Sequence, residues 1–140
     1  MANNSLAPPI GKVALWNPEN LSLWNLLFTP AFGAWIQARN WSALGEDKRE
    51  KESMYWFFGT LNLVAWMMPF FSLGDIVAAI GIVNGIWHFG FSKLQEAYLN
   101  ERPGSVYESK TWRPPLATAT AAVFLLVALK LSVASQVCRC

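Results

Sequence analysis

Charge is what this chain has least of. Only 14% of its 140 residues are Asp, Glu, Lys or Arg, against roughly 25% in an ordinary soluble domain. A globule of this length has a large surface to cover with polar groups, so the shortage argues against a soluble fold. The charges present balance to +2. Lysines and arginines are interleaved with acids, as in Glu46-Asp47-Lys48-Arg49-Glu50-Lys51-Glu52. A phosphate-binding surface needs unopposed positive charge, and nucleic acid is therefore excluded as a partner. Cysteine is confined to Cys138 and Cys140. One intervening residue strains a mutual disulfide, and two thiolates alone make no metal quartet. Histidine occurs once, at His88. P-loop, CxxC, HExxH and Gly-rich dinucleotide signatures are all missing. A Ser-His-acid arrangement would have to recruit His88 far from the loop carboxylates. The expectation is a protein that is not an enzyme and takes no cofactor or metal. The first twenty residues are polar and proline-rich, without the basic start and apolar stretch of a cleavable signal peptide. There is no fixed-period repeat and no low-complexity run.

Apolar and aromatic residues are abundant instead. Hydrophobic residues make up 54% of the chain, with eight Trp and nine Phe, and the mean hydropathy is +0.26. They concentrate in four stretches. The first covers residues 21–39. Asn17-Pro18-Glu19 ahead of it reads as a helix start, with a capping Asn and Pro at the first helical position, and Pro30 should kink the helix. Its apolar heart, 26–36, is short against the about 20 residues of a membrane span, although Trp24 and Trp41 can sit at the two interfaces. The second stretch, 54–71, carries no charge. The third, 75–92, follows the turn "SLGD", with Asp75 placed to cap it, and its helix should continue to Asn100. The fourth, 116–137, is interrupted by Lys130, whose stem can snorkel to the interface.

These stretches predict an all-α fold: a single membrane domain of residues 1–140, with a polar segment 1–20 and a four-helix transmembrane bundle. The loops 40–53 and 93–115 then share one side and, with Arg39 at the end of the first stretch, hold eight of the eleven basic residues. The positive-inside rule places them in the cytoplasm and both termini outside. A three-span arrangement, with segment 21–39 lying in the interface, is the alternative membrane model. A soluble helical bundle with a very apolar core is the other, and it sits poorly with 54–71, which is apolar all round.

Within the spans a few residues stand out. Intramembrane ionisable groups are functional candidates by default, and His88 is either a relay or ligand residue or a neutral imidazole bonded to a neighbouring helix. Asn62, Asn84 and Gln37 are partner types for it. Asn62 and Asn84 fall at comparable depth in an antiparallel hairpin, where a mutual hydrogen bond would stabilise the pair by roughly 1 kcal/mol. Gly81 and Gly85 form a GxxxG step, which lets helix backbones approach closely. Ala117 and Ala121 repeat that spacing.

Thr29-Pro30-Ala31-Phe32-Gly33-Ala34, followed by Asn40-Trp41-Ser42-Ala43-Leu44-Gly45-Glu46, resembles a pattern of small uncharacterised multi-pass bacterial inner-membrane proteins. In these a P-x-F-G-A helix runs into N-W-x-A-L-G. The resemblance covers about the first 60 residues. It implies a bacterial inner-membrane protein and brings no catalytic residues. Gly33 offers a close-packing surface beside Pro30, Trp41 an interfacial anchor, and Gly45 a helix end.

By elimination, the expected function is non-catalytic binding of another membrane-inserted protein within the lipid bilayer. The leading form is an immunity protein that neutralises a pore-forming bacterial toxin such as a secretion-system effector. An accessory or assembly subunit of a membrane complex is the alternative. A small transporter or channel, homo-oligomeric and lined by Asn62, Asn84 and His88, is the third. Partner-binding candidates are Gly81, Gly85, Asn62, Asn84, His88, Pro30 and Gly33.

Overall fold

The computed structural model describes residues 13–102 and 107–137; Cys138 and Cys140 lie outside them. Five helices account for most of these residues: α1 (Pro18–Leu27), α2 (Pro30–Ala43), α3 (Asp47–Met67), α4 (Leu73–Asn100) and α5 (Arg113–Val137). A short parallel ladder joins β1 (Val13–Leu15) to β2 (Tyr107–Ser109), with Val13 opposite Tyr107. The chain is mostly helical, as expected, and this pair is an addition to it. It forms inside the segments read as polar tail and loop, and it ties the start of the chain to the connection before α5.

The largest correction concerns residues 21–39, which are not one kinked helix. Asn17 caps α1 by accepting from the Glu19 amide at 2.9 Å, with Pro18 at the first helical position. The helix stops at Phe28. Thr29 is extended, and its hydroxyl accepts from the Phe32 amide at 3.3 Å, so Pro30 begins a second helix. Proline is disfavoured inside a helix but suited to its first turn, and here the chain reverses around it. The Asn40 side chain at the far end of α2 bonds both the amide and the carbonyl of Trp16, at 3.0 and 2.8 Å. Both ends of the α1–α2 unit therefore lie at one end of the molecule, beside the strands. With ten residues in α1, the hairpin reaches about 15 Å inward.

Helix α2 ends in a Schellman motif. Gly45 has φ +74°, and the Glu46 and Gly45 amides bond the Trp41 and Ser42 carbonyls at 3.0 and 3.1 Å. Helix α3 then starts at Asp47, seven residues before the apolar stretch, inside the expected loop 40–53. Acids in its first turn suit the positive end of the helix dipole. It runs back along α2 to Met67. A turn leads to α4, whose cap is Ser72 rather than Asp75. The two form a capping box, in which the Asp75 amide bonds the Ser72 hydroxyl and the Ser72 amide bonds the Asp75 carboxylate. Helix α4 returns to the strand end, so the expected loop 93–115 begins as helix. Helix α5 leaves the strand end again, and the Lys130 ammonium reaches the Met68 carbonyl near the opposite turn.

Two helices, Leu73–Asn100 and Arg113–Ser132, are long and apolar enough to cross a membrane. Only 17% and 11% of the residues in their most apolar windows are buried. A soluble core helix would hide most of them. Phe89 and Phe124 are 84% and 72% exposed, while Asn40 and Gln95 are fully buried. Much of the apolar surface of these two helices faces outward, while several carboxamides face inward.

Candidate functional site

The interior seam lies between the α1–α2 hairpin and α4. Gly33, Gln37 and Asn40 follow one another at helical spacing on one face of α2. Opposite Gly33 sits Asn25 of α1. A Cβ on Gly33 would fall 1.6 Å from the Asn25 Oδ1, so only glycine admits the Asn25 amide there. The Asn25 carbonyl accepts from the Asn84 side chain of α4 at 3.0 Å. One turn along, Gln37 donates to the Phe91 carbonyl at 3.0 Å. At the strand end the Asn40 amide also donates to the Gln95 Oε1 at 2.9 Å.

The match between α2 and α4 depends on a π-helical turn at His88–Ser92. A π-turn adds one residue to the helix circuit, and such turns gather at functional sites. Here it brings the Phe91 carbonyl to Gln37, and Ser92 donates its hydroxyl to the His88 carbonyl at 2.8 Å. Trp87 and Phe91 stack with centroids 5.5 Å apart, and Trp56 of α3 packs on both.

The seam is incompletely paired. Both amide atoms of Asn25, the Gln37 Oε1, the Gln95 Nε2, the Trp87 Nε1 and the His88 Nδ1 are buried without a hydrogen-bond partner among the described residues. Each such group costs about 1–3 kcal/mol in desolvation. The seam's members are carboxamides, an indole and the His88 imidazole, which offer hydrogen bonds. Among the described residues no three His, Cys, Asp or Glu side chains gather as metal ligands.

Of the residues singled out from sequence, Gly33, Asn84 and Gln37 meet in the seam, and Pro30 sets its hairpin. Asn62 does not. It is exposed and bonds the Phe58 carbonyl of its own helix at 2.8 Å, because Asn84 is turned inward to Asn25. His88 makes no bond to the expected carboxamides; its ring meets Phe89 at 5.2 Å. Among the described residues nothing lies within 4 Å of a Cβ added at Gly81 or Gly85. Ala117 and Ala121 are exposed as well. Sequence reasoning missed Asn25, Asn40 and Gln95. Their signal was that carboxamides recur within or beside apolar helices, where each needs a partner.

A second feature lies on the other side of α2. An apolar groove of about 570 Å³ opens between α2, α3 and α5, with Thr29, Phe32 and Trp35 on one wall and residues from Pro115 to Leu126 on another.

Fold and seam together define a mostly helical protein with two helices fit to cross a membrane and a carboxamide-lined interior. No family model, curated protein or solved structure matches the chain.

Proposed function

We propose that the chain is a non-catalytic integral protein of the bacterial inner membrane that acts by binding another membrane-inserted protein. The observation that carries this reading is the open glycine face of α4. Gly81 and Gly85 present a GxxxG step with nothing among the described residues within 4 Å of an added Cβ at either, flanked by the exposed Ile82 and Ile86. In a bilayer such a face gains contacts chiefly from another helix, because lipid is already as apolar as the side chains. The resemblance of the P-x-F-G-A and N-W-x-A-L-G segment points to the same membrane.

In this reading α3, α4 and α5 cross the bilayer, and α1–α2 is a re-entrant hairpin that enters and leaves on one side. Non-helical backbone at membrane depth is tolerated where protein buries it. Arg39, Lys48, Arg49, Lys51, Lys93, Arg102, Lys110 and Arg113 belong to the strand end, against Lys130 near the other. The positive-inside rule puts the strand end in the cytoplasm. Strand β1 is then cytoplasmic and α5 runs outward, in place of the expected arrangement with both ends outside.

Among binding roles we favour neutralisation of a membrane-targeting toxin, with an accessory subunit of a membrane complex as the alternative. The test is capture of the tagged chain from its native host in mild detergent. Recovery of a toxin-like membrane protein, lost with Gly81→Leu or Gly85→Leu, supports immunity. Recovery of enzyme or secretion subunits, lost in the same way, supports the accessory role. Unchanged capture by both variants removes the glycine face from the reading. The transporter reading draws on the unpaired seam, and it requires that Asn84→Ala or His88→Ala abolish solute uptake at unchanged protein level.

A further inference from the structure

We propose that the groove beside α5 is a binding site for one phospholipid, with an acyl chain in the groove and an anionic headgroup at Arg39 and Arg113. The proposal rests on the membrane reading above, and it concerns a different face from Gly81 and Gly85. Four observations carry it.

The first is length. The α5 wall runs from Pro115 to Leu126, eleven residue steps or about 16 Å of helix. One leaflet of hydrocarbon is about 15 Å thick. The groove thus spans a single leaflet, that of the strand end, and the Phe28–Thr29 tip of the hairpin lies among its lining residues.

The second is enclosure. Helix α5 rests against the body through Leu116 and Ala119, which pack with Phe32 and Ile36, and again through Lys130 at the Met68 carbonyl. The groove of about 570 Å³ lies between these two points and is open to an alkyl chain.

The third is chemistry. The lining is Phe, Trp, Leu, Val, Ile, Ala and Pro apart from three threonines. The Thr29 hydroxyl caps α2, the Thr118 hydroxyl donates to the Pro114 carbonyl at 3.0 Å, and the Thr60 hydroxyl has no partner among the described residues. No charged side chain lines the groove.

The fourth is charge at the mouth. Trp35 lines the groove, and the Arg39 guanidinium lies over its ring at 5.8 Å. Arg113 opens α5 two residues before the lining Pro115. Lys110 sits 4.5 Å over the ring of Trp16, which itself contacts Trp35. Glu108 stands two residues from Lys110 and tempers that corner; neither arginine has an acid adjacent in sequence. Basic pockets between helices on the cytoplasmic side suit anionic headgroups, and tryptophans are at home at that level.

The test uses the full chain, purified in detergent and delipidated. It is offered equimolar phosphatidylglycerol and phosphatidylcholine with the same acyl chains, and the retained lipid is read by native mass spectrometry. The expected result is one lipid per chain, with phosphatidylglycerol favoured at least about fivefold. Ala122→Phe and, from the opposite wall, Ala65→Phe should both lose the lipid. Arg39→Gln with Arg113→Gln should keep a lipid and lose the headgroup preference. A wild-type chain that retains none, or retention unchanged in both filling variants that still melt cooperatively, overturns the proposal. Equal retention of the two lipids overturns its headgroup half. Failure of the membrane reading looks different: the chain would then stay in the soluble fraction without detergent.

Discussion

Gly33 has no room for a methyl group, and Gly81 has ample room. The first faces the Asn25 amide at 1.6 Å from an added Cβ, and the second faces nothing within 4 Å. Gly33→Ala should therefore destabilise the protein by about 1–3 kcal/mol through overpacking, whereas Gly81→Ala should leave stability unchanged or slightly raised. Thermal unfolding of both variants in the same detergent makes the comparison. Asn40 is the other residue with an outsized role, since its side chain serves both backbone groups of Trp16 and the Gln95 amide. Asn40→Leu strands those groups, at roughly 1–3 kcal/mol each, and should lower the melting temperature more than any exposed substitution. At this scale the sequence was half legible. Gly33 and Asn84 were readable as small or polar residues inside apolar stretches. That Asn84 turns to Asn25 rather than to Asn62 depended on the hairpin that brings α1 beside α4, and no local pattern encodes that approach.

At the scale of elements, the helices were visible and their ends were not. Apolar runs mark where a helix is greasy, while capping and turn chemistry mark where it begins and ends. Helix α3 starts at Asp47 because the Schellman turn at Gly45 has just closed α2, well before hydrophobicity rises. Pro30 was legible as a perturbation, and Thr29-Pro30 was equally legible as a fresh cap, so a kink and a reversal compete in the sequence. The Asn40 contact with Trp16, a long-range interaction, decides for reversal. The π-turn left no trace in the periodicity at all. It is testable by removing its extra residue. Deleting Gly90 removes the extra residue and restores an ordinary helix, so the residues beyond it keep their register while the Phe91 carbonyl returns to the helix ladder. Gln37 then loses its acceptor. The expected outcome is a loss of stability of about 1 kcal/mol, smaller than that of Asn40→Leu. A deletion variant that melts like the wild type would mean that the turn is incidental to the α2–α4 seam.

The whole molecule is turned inside out by the standard of a soluble protein. Its apolar helices α4 and α5 are largely exposed, and Asn25, Gln37, Asn40, Asn84 and Gln95 are sealed inside. Composition and the shortage of charge made that legible, as did the gathering of Lys and Arg into two segments. The number of crossings was not legible, because residues 21–39 are long enough for a marginal span or for a hairpin of half the depth. Hydropathy alone does not separate the two. They differ in where Glu19 and Asp47 lie. Both are exposed, at the start of α1 and of α3, and the hairpin puts them on one side, whereas a crossing helix puts them on opposite sides. The most direct measurement is labelling by a membrane-impermeant thiol reagent in intact and permeabilised cells. Single cysteines are introduced as Glu19→Cys, Asp47→Cys and Pro69→Cys, with Cys138→Ser and Cys140→Ser as the background. The re-entrant hairpin predicts that the cysteines at 19 and 47 react only after permeabilisation, and that the one at 69 reacts in intact cells. Reaction at 19 in intact cells with protection at 47 would show that residues 21–39 cross, and the hairpin would be wrong.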